Sequence, residues 1–222
     1  NAPHLAQPLA FVMPSYRCWE SPFYRVGLKM YDALAGSAGL GATEFLGVQR
    51  TLQCLPTARP DGLKGGVKYW DGQFDDARLA LALARTAARH GALLVNYCAA
   101  RSLVHDAGKV SGVLCEDTET GKAYKIRARC VVNATGVWVD ALRQQDSEAT
   151  HRPVRPIVAP SQGVHIVVDK EFLPSDHALM VPKTADGRVL FAVPWLGKLI
   201  LGTTDSPRQD VVREPLPFKE EV

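Results

Sequence analysis

Cys130-Val131-Val132-Asn133-Ala134-Thr135-Gly136 is a short apolar run that stops at three small residues. A run of this kind, without polar alternation, suits a strand buried on both faces, as in a parallel sheet. Small residues at its carboxyl end let backbone pass close to a flat or charged ligand, where open α/β sheets bind cofactors. The same segment also fits a tight turn that meets no ligand. Upstream, Asp76 to Gly91 is rich in Ala and Leu, acidic at its front, with basic residues and Gly91 closing the far end. That bias suits a helix macrodipole and a left-handed cap, so a helix is predicted here. Asp75-Asp76-Ala77-Arg78 reads as its N-cap, with Arg78 placed to reach a neighbouring carboxylate in the alternative. Ala92 to Val104 is predicted as a strand, and Val110–Glu116 with Ala123–Arg127 as a hairpin around the polar turn Thr118 to Lys122.

The flanks have a different character. Pro8 to Pro14 reads as a strand before a turn, and Pro22 to Ala35 as a helix, from apolar residues at helical spacing. Gly-rich residues 36–41 end that helix. Residues 42–66 are turn-rich, with Leu46, Leu52 and Leu55 marking short helical turns. After a polar stretch from Ser147 to Arg155 the pattern becomes all-β. Strands are predicted at Arg155–Val158, Gly163–Val168, Ala178–Val181, Val189–Pro194 and Leu199–Gly202, with Asp186-Gly187 as a hairpin turn. The fold class is therefore mixed, α+β with an α/β block: a nucleotide-binding type of helix and strands between a front segment and a sheet that floors a pocket.

Composition narrows the function classes. Of 222 residues 46% are hydrophobic and 22% charged, ordinary for a folded domain. A net charge of +3 with scattered basic residues argues against nucleic acid. Cys18, Cys54, Cys98, Cys115 and Cys130 form an odd set without CxxC spacing, which predicts buried free thiols in a reducing compartment. No apolar run approaches the roughly 18–20 residues that span a bilayer. Metal-ligand spacing, a Gly-x-Ser-x-Gly elbow and a Walker loop are all missing. Asn1-Ala2 lacks an initiator Met and Glu220-Glu221-Val222 stops without a cap, so both ends are expected to be cut.

Two further segments carry polar chemistry. His165 sits in Gly163-Val164-His165-Ile166-Val167-Val168, where alternation puts it on the face of Val167, opposite Val164, Ile166 and Val168. It is either a structural histidine or, facing a pocket, a partner for an alcohol or its proton. Gly202-Thr203-Thr204-Asp205 offers two hydroxyls and a carboxylate, for a polar ligand or for capping the next turn. Trp70, Trp138 and Trp195 lie at element ends, to pack a core or wall a pocket.

Taken in order, Asp71-Gly72-Gln73-Phe74-Asp75-Asp76-Ala77-Arg78-Leu79, Asn133-Ala134-Thr135-Gly136-Val137-Trp138-Val139, Gln162 to Val168, Asp186 to Trp195 and Gly202 to Asp205 resemble the FAD-dependent glycerol-3-phosphate dehydrogenases and the related glycerophosphate oxidases. The resemblance spans essentially the whole chain. It implies the two-domain fold of the glycine/D-amino-acid oxidase type. Residues 1–74 and 145–222 would then belong to an antiparallel-sheet substrate domain, and 75–144 to part of an FAD domain. It further implies FAD contacts from Ala99 and Ala100 and from Ala134, Thr135 and Gly136, substrate contacts from His165, Thr203 and Thr204, and a catalytic role for His165. Two positions depart from the family pattern: Val164 stands where Ser is usual, and Val137 where Pro is usual. The glycine-rich turn that seats a pyrophosphate and the Arg-bearing segments that clamp the substrate phosphate have no counterpart here.

The implied activity of the whole enzyme is oxidation of glycerol 3-phosphate to dihydroxyacetone phosphate, with hydride transfer to FAD and electrons to a quinone. This stretch by itself is expected to be inactive and to lack FAD. The implied location is cytoplasmic, peripheral on the inner face of the cytoplasmic membrane. The alternatives are a glycerophosphate oxidase or another amino-acid-oxidase-like flavoenzyme, and a non-catalytic domain of the same fold.

Overall fold

The computed structural model describes residues 4–17, 20–36, 39–184 and 187–219. In chain order the elements are β1 (Ala6–Ser15), α1 (Glu20–Ala35), β2 (Glu44–Leu46), α2 (Val48–Cys54), β3 (Gly65–Phe74) and α3 (Asp76–Arg89). Then come β4 (Cys98–Asp106), β5 (Lys109–Asp117), β6 (Ala123–Arg127) and α4 (Val139–Thr150). The chain closes with β7 (Ser161–Gln162), β8 (Ile166–Asp169), β9 (Ala178–Val181), β10 (Leu190–Trp195), β11 (Lys198–Gly202) and β12 (Ser206–Pro207). The mixed class expected from the sequence is what the chain adopts, with mostly antiparallel sheets.

Two compact units form. One comprises Asn1–Leu83, Gly163–Asp205 and Pro217–Val222, the other Ala84–Gln162 and Ser206–Leu216. The sequence reading put its divisions after residues 74 and 144; the units divide inside α3 and after Gln162. Local bonding accounts for the second position. Asp140 of α4 accepts hydrogen bonds from the backbone of Ile157 and Val158, and β7 pairs with β12, which keeps the segment up to Gln162 with α4.

The first unit is built on a seven-stranded sheet in the order β2-β3-β1-β9-β10-β11-β8. Alternation along the strands gives it two apolar faces. On one face Val12, Leu46, Ala192 and Leu199 pack with Leu55, just beyond α2, and Leu173, forming the main core. The turn-rich reading of residues 42–66 reaches into the start of β3, and no element is predicted over residues 67–74. The segment is a strand in which Gly66 answers to packing: a β-carbon on it would come 3.0 Å from Thr51 Oγ1 and from the Met13 carbonyl oxygen. Thr51 itself is fully buried, its hydroxyl donating to the Gly47 carbonyl at 3.0 Å.

Of the five predicted back strands, β9, β10 and β11 form where expected, and β8 begins at Ile166 rather than Gly163. Arg155–Val158 is no strand, since its N–H groups bond to Asp140 instead of a ladder. Asp186 of the predicted hairpin turn lies outside the described residues, while Gly187 has the left-handed φ of +88° that such a turn demands.

In the second unit β4, β5 and β6 make an antiparallel sheet, with α4 packed on β4. Asp75 caps α3 as predicted, its Oδ1 accepting from the Arg78 N–H at 3.0 Å, and Gly91 closes it at φ +87°. The strand expected from Ala92 begins only at Cys98, because Tyr97 turns the chain at φ +54°. Cys130–Asn133 forms no strand either. No strand among the described residues pairs with it, and Val132 is 82% exposed. Cys54, Cys98, Cys115 and Cys130 are free thiols, but only Cys115 is buried as expected; Cys54 and Cys98 are half-buried and Cys130 is exposed, while Cys18 lies outside the described residues.

Candidate functional site

The face of the large sheet opposite the main core carries the first candidate site. Phe11 stacks on Tyr69 with centroids 5.3 Å apart and meets Phe191 edge-on at 6.0 Å. Beyond these rings opens a cleft of about 270 Å³, lined among others by Leu9, Gln73, His165, Val193, Trp195 and Gly202. Its origin is topological. β9 is short and spans the sheet only from Phe11–Val12 of β1 to Leu190–Ala192 of β10. The first half of β1 and the last residues of β10 therefore flank a gap where no strand runs. The side chain of Gln73 crosses it, Nε2 donating to the Pro194 carbonyl at 2.7 Å. An amide side chain thus satisfies a carbonyl that a longer β9 would have paired.

His165 lies at the rim of this cleft, on the residue before β8. The register confirms the face read from alternation. Val168 and Ile166 pair with Leu199 and Leu201 toward the core side, Val167 pairs with Ile200, and His165 shares the cleft face. The imidazole is exposed and makes no hydrogen bond with any described residue. Both ring nitrogens are therefore available to a ligand hydroxyl.

Thr203 and Thr204 sit directly behind His165, and their hydroxyls are engaged locally. Thr204 Oγ1 accepts from the Val164 N–H at 3.0 Å, and Thr203 Oγ1 donates to the Thr204 carbonyl at 2.8 Å. The Thr204 N–H in turn donates to the Val164 carbonyl at 3.4 Å. These bonds tie the segment before β8 to the segment after β11. Because Val164 contributes only its backbone, the absence of a Ser hydroxyl there leaves the tie intact.

The second candidate group lies in the other unit. Ala99 and Ala100 sit at the start of β4, paired with Glu116 and Cys115. At the Asn133 turn, Asn133 Oδ1 accepts from the Thr135 hydroxyl at 2.8 Å, and Asn133 Nδ2 donates to the Val139 carbonyl at 3.0 Å. The turn is thus held by Asn133, leaving Ala134, Thr135 and Gly136 exposed. Gly136 takes φ +59°, and nothing stands within 4 Å of a β-carbon built on it. An open edge of small residues, pinned from behind, fits the flat flavin group that the resemblance implies.

Sequence reasoning assigned no role to Gln73, although it lay inside a quoted motif, and none to Gly202 beyond leading its turn. Gln73 was legible only once β3 was known to be a strand, since its direction follows from pairing. Trp195, named as a wall or a core residue, is a wall.

Residues 3–221 match the family described as FAD dependent oxidoreductase. The chain is 44% identical over 227 residues to the mitochondrial glycerol-3-phosphate dehydrogenase of Rattus norvegicus, covering all of this chain and 30% of that protein. Among solved structures, the glycerol-3-phosphate dehydrogenase from Bacillus halodurans complexed with FAD superposes with a TM-score of 0.78 at 33% identity, over 98% of this chain and 38% of that one. The L-proline dehydrogenase from P. horikoshii shares the fold alone, with a TM-score of 0.74 at 15% identity over 97% of this chain and 53% of that one.

Proposed function

The chain belongs to the FAD dependent oxidoreductase family, and from that premise we propose that the whole protein oxidises glycerol 3-phosphate to dihydroxyacetone phosphate. The flavin, when bound, supplies the acceptor for the hydride leaving the carbinol carbon, and a quinone takes the electrons onward. Likeness to glycerol-3-phosphate dehydrogenases along the full chain supports that substrate. In this chain, Ala99, Ala100, Ala134, Thr135 and Gly136 would hold the flavin.

The observation that carries the reading is His165, an imidazole with both nitrogens open at the rim of an apolar cleft. Neutral, it accepts the proton of the reacting hydroxyl or holds that hydroxyl by a hydrogen bond. The aromatic floor of Phe11 and Phe191 displaces water from the carbon that loses hydride. Thr203 and Thr204 frame this segment. A peripheral position on the inner face of the cytoplasmic membrane would suit delivery to a lipid-soluble quinone; no helix among the described residues is long and apolar enough to cross a membrane.

The test is the visible spectrum of full-length protein. Glycerol 3-phosphate should bleach the flavin band, and a soluble quinone should restore it without matching oxygen uptake. His165→Ala should slow bleaching by about 10²- to 10⁴-fold, the usual contribution of a positioned acid or base. An unbleached band overturns the substrate, and oxygen uptake at the rate of turnover overturns the quinone. Unchanged bleaching by the variant removes His165 from the mechanism.

A further inference from the structure

β11 ends at Gly202, and the last pair of its ladder with β8 joins Leu201 to Ile166. His165, the residue just before β8, therefore falls opposite Gly202. The imidazole has no hydrogen bond among the described residues to fix its orientation, so van der Waals contact with them must do so. The contact is close. A β-carbon on Gly202 would lie 2.6 Å from His165 Cδ2 and 3.1 Å from Cγ, as well as 3.1 Å from the Val164 carbonyl oxygen. Separations under 3.0 Å are not sustained by real side chains, so one partner has to move. Here the ring is the partner with room, because the cleft lies in front of it.

The same seam has a second glycine. A β-carbon on Gly163 would meet Thr203 Oγ1 at 2.4 Å and the Thr204 carbonyl oxygen at 2.5 Å. The two segments therefore lie at backbone distance, stitched by the bonds between Val164 and Thr204. Gly163 lets the frame close, while Gly202 is the glycine that faces the imidazole.

Resting on the reading of His165 as the group that meets the reacting hydroxyl, we propose that Gly202 is a positioning residue. Its bare α-carbon is the seat of the His165 imidazole, and any side chain there lifts the ring out of register with the substrate. A misplacement of about 1 Å in a reacting group is enough to cost a factor on the order of 10². The loss falls on the chemical step rather than on uniform binding, so kcat drops more than KM rises.

The experiment uses the full-length flavin-loaded protein as Gly202→Ala, His165→Ala and the double variant. Steady-state kcat and KM for glycerol 3-phosphate, the pH profile of kcat, the resting flavin spectrum and the melting temperature are measured for each. Gly202→Ala is expected to lower kcat by about ten- to a hundredfold, with the resting spectrum preserved. Added to His165→Ala it should cost less than twofold more, since the ring it displaces is gone. Whatever feature of the kcat pH profile is lost in His165→Ala should also weaken in Gly202→Ala. An undiminished loss in the His165→Ala background, or unchanged kcat in Gly202→Ala, overturns the proposal. If His165→Ala alone is silent, the functional reading falls and takes the proposal with it; if only Gly202→Ala is silent, that reading stands and the proposal falls. Should Gly202→Ala fail to accumulate as folded protein, the double variant decides: recovery of folding once the ring is removed supports the seat, and continued failure overturns it.

Discussion

His177, although not in the cleft, is a residue whose surroundings carry a measurable consequence. Its N–H donates to Ser175 Oγ at 3.0 Å, and that hydroxyl donates to the Cys54 carbonyl at 2.6 Å. Burial, and then the ammonium of Lys68, push its imidazole below the ordinary histidine value, with Asp176 opposing weakly. Folding thus favours the neutral ring, and the unfolded chain takes up the proton more readily. This share of stability is complete above the unfolded value of about 6.5 and is lost as the pH falls through the folded value. Urea unfolding of the full-length protein should accordingly show lower stability at pH 5.5 than at pH 7.5, and His177→Gln should narrow that gap. An equal gap in both proteins would place the pH dependence elsewhere.

At the scale of elements, α4 is held in large part by polar contacts. Of its less exposed residues Val139, Asp140, Leu142, Arg143, Asp146, Ser147 and Thr150, only Val139 and Leu142 are apolar. Asp146 binds His105 of β4 at 2.7 Å, and Arg143 spans Asp140 at 2.6 Å and the Arg155 carbonyl at 2.8 Å. The Val158 N–H, with further help from Arg143 and the Ile157 N–H, holds the Asp140 carboxyl below the usual carboxylate range. Asp140→Ala should therefore free residues 155–158: amide exchange at Ile157 and Val158 should accelerate while β5 keeps its protection. Unchanged exchange there would mean the segment is held by something other than Asp140. The same chemistry explains why α4 escaped the sequence reading, which follows apolar periodicity. β3 escaped for another reason: its start fell within the turn-rich reading of residues 42–66, although Gly66 serves close packing with Thr51 of α2. The capped α3, the β5–β6 hairpin and strands β9 to β11 were legible because caps, a polar turn and β-branched runs are local signals. The face of His165 was legible from alternation and its candidacy only from the resemblance, whereas the gap beside β9 and the bridge from Gln73 depend on strand order, which no local pattern encodes.

For the whole molecule, the informative surfaces are apolar ones that this chain leaves uncovered. Leu93 is 90% exposed and Val132 82%, within runs whose composition suits strands buried on both faces. Exposed apolar sequence of this kind is a docking surface for further chain or an aggregation liability. The chain spans 30% of the length of the rat relative it matches, which leaves ample sequence in such a protein to cover both runs. The edge offered by Ala134, Thr135 and Gly136 is open and would contact a flat group, while no glycine-rich Gly-x-Gly-x-x-Gly turn occurs in the sequence to seat a pyrophosphate. Produced by itself, the 222-residue stretch should therefore remain colourless with excess FAD, bind a hydrophobic dye, and leave glycerol 3-phosphate unoxidised, whereas the full-length protein should be yellow and dye-silent. Absorbance near the flavin band after desalting, read beside dye fluorescence, separates the two states. Stoichiometric colour in the short stretch would show that its own small-residue edge suffices to retain the cofactor, and the division of labour argued here would have to be redrawn.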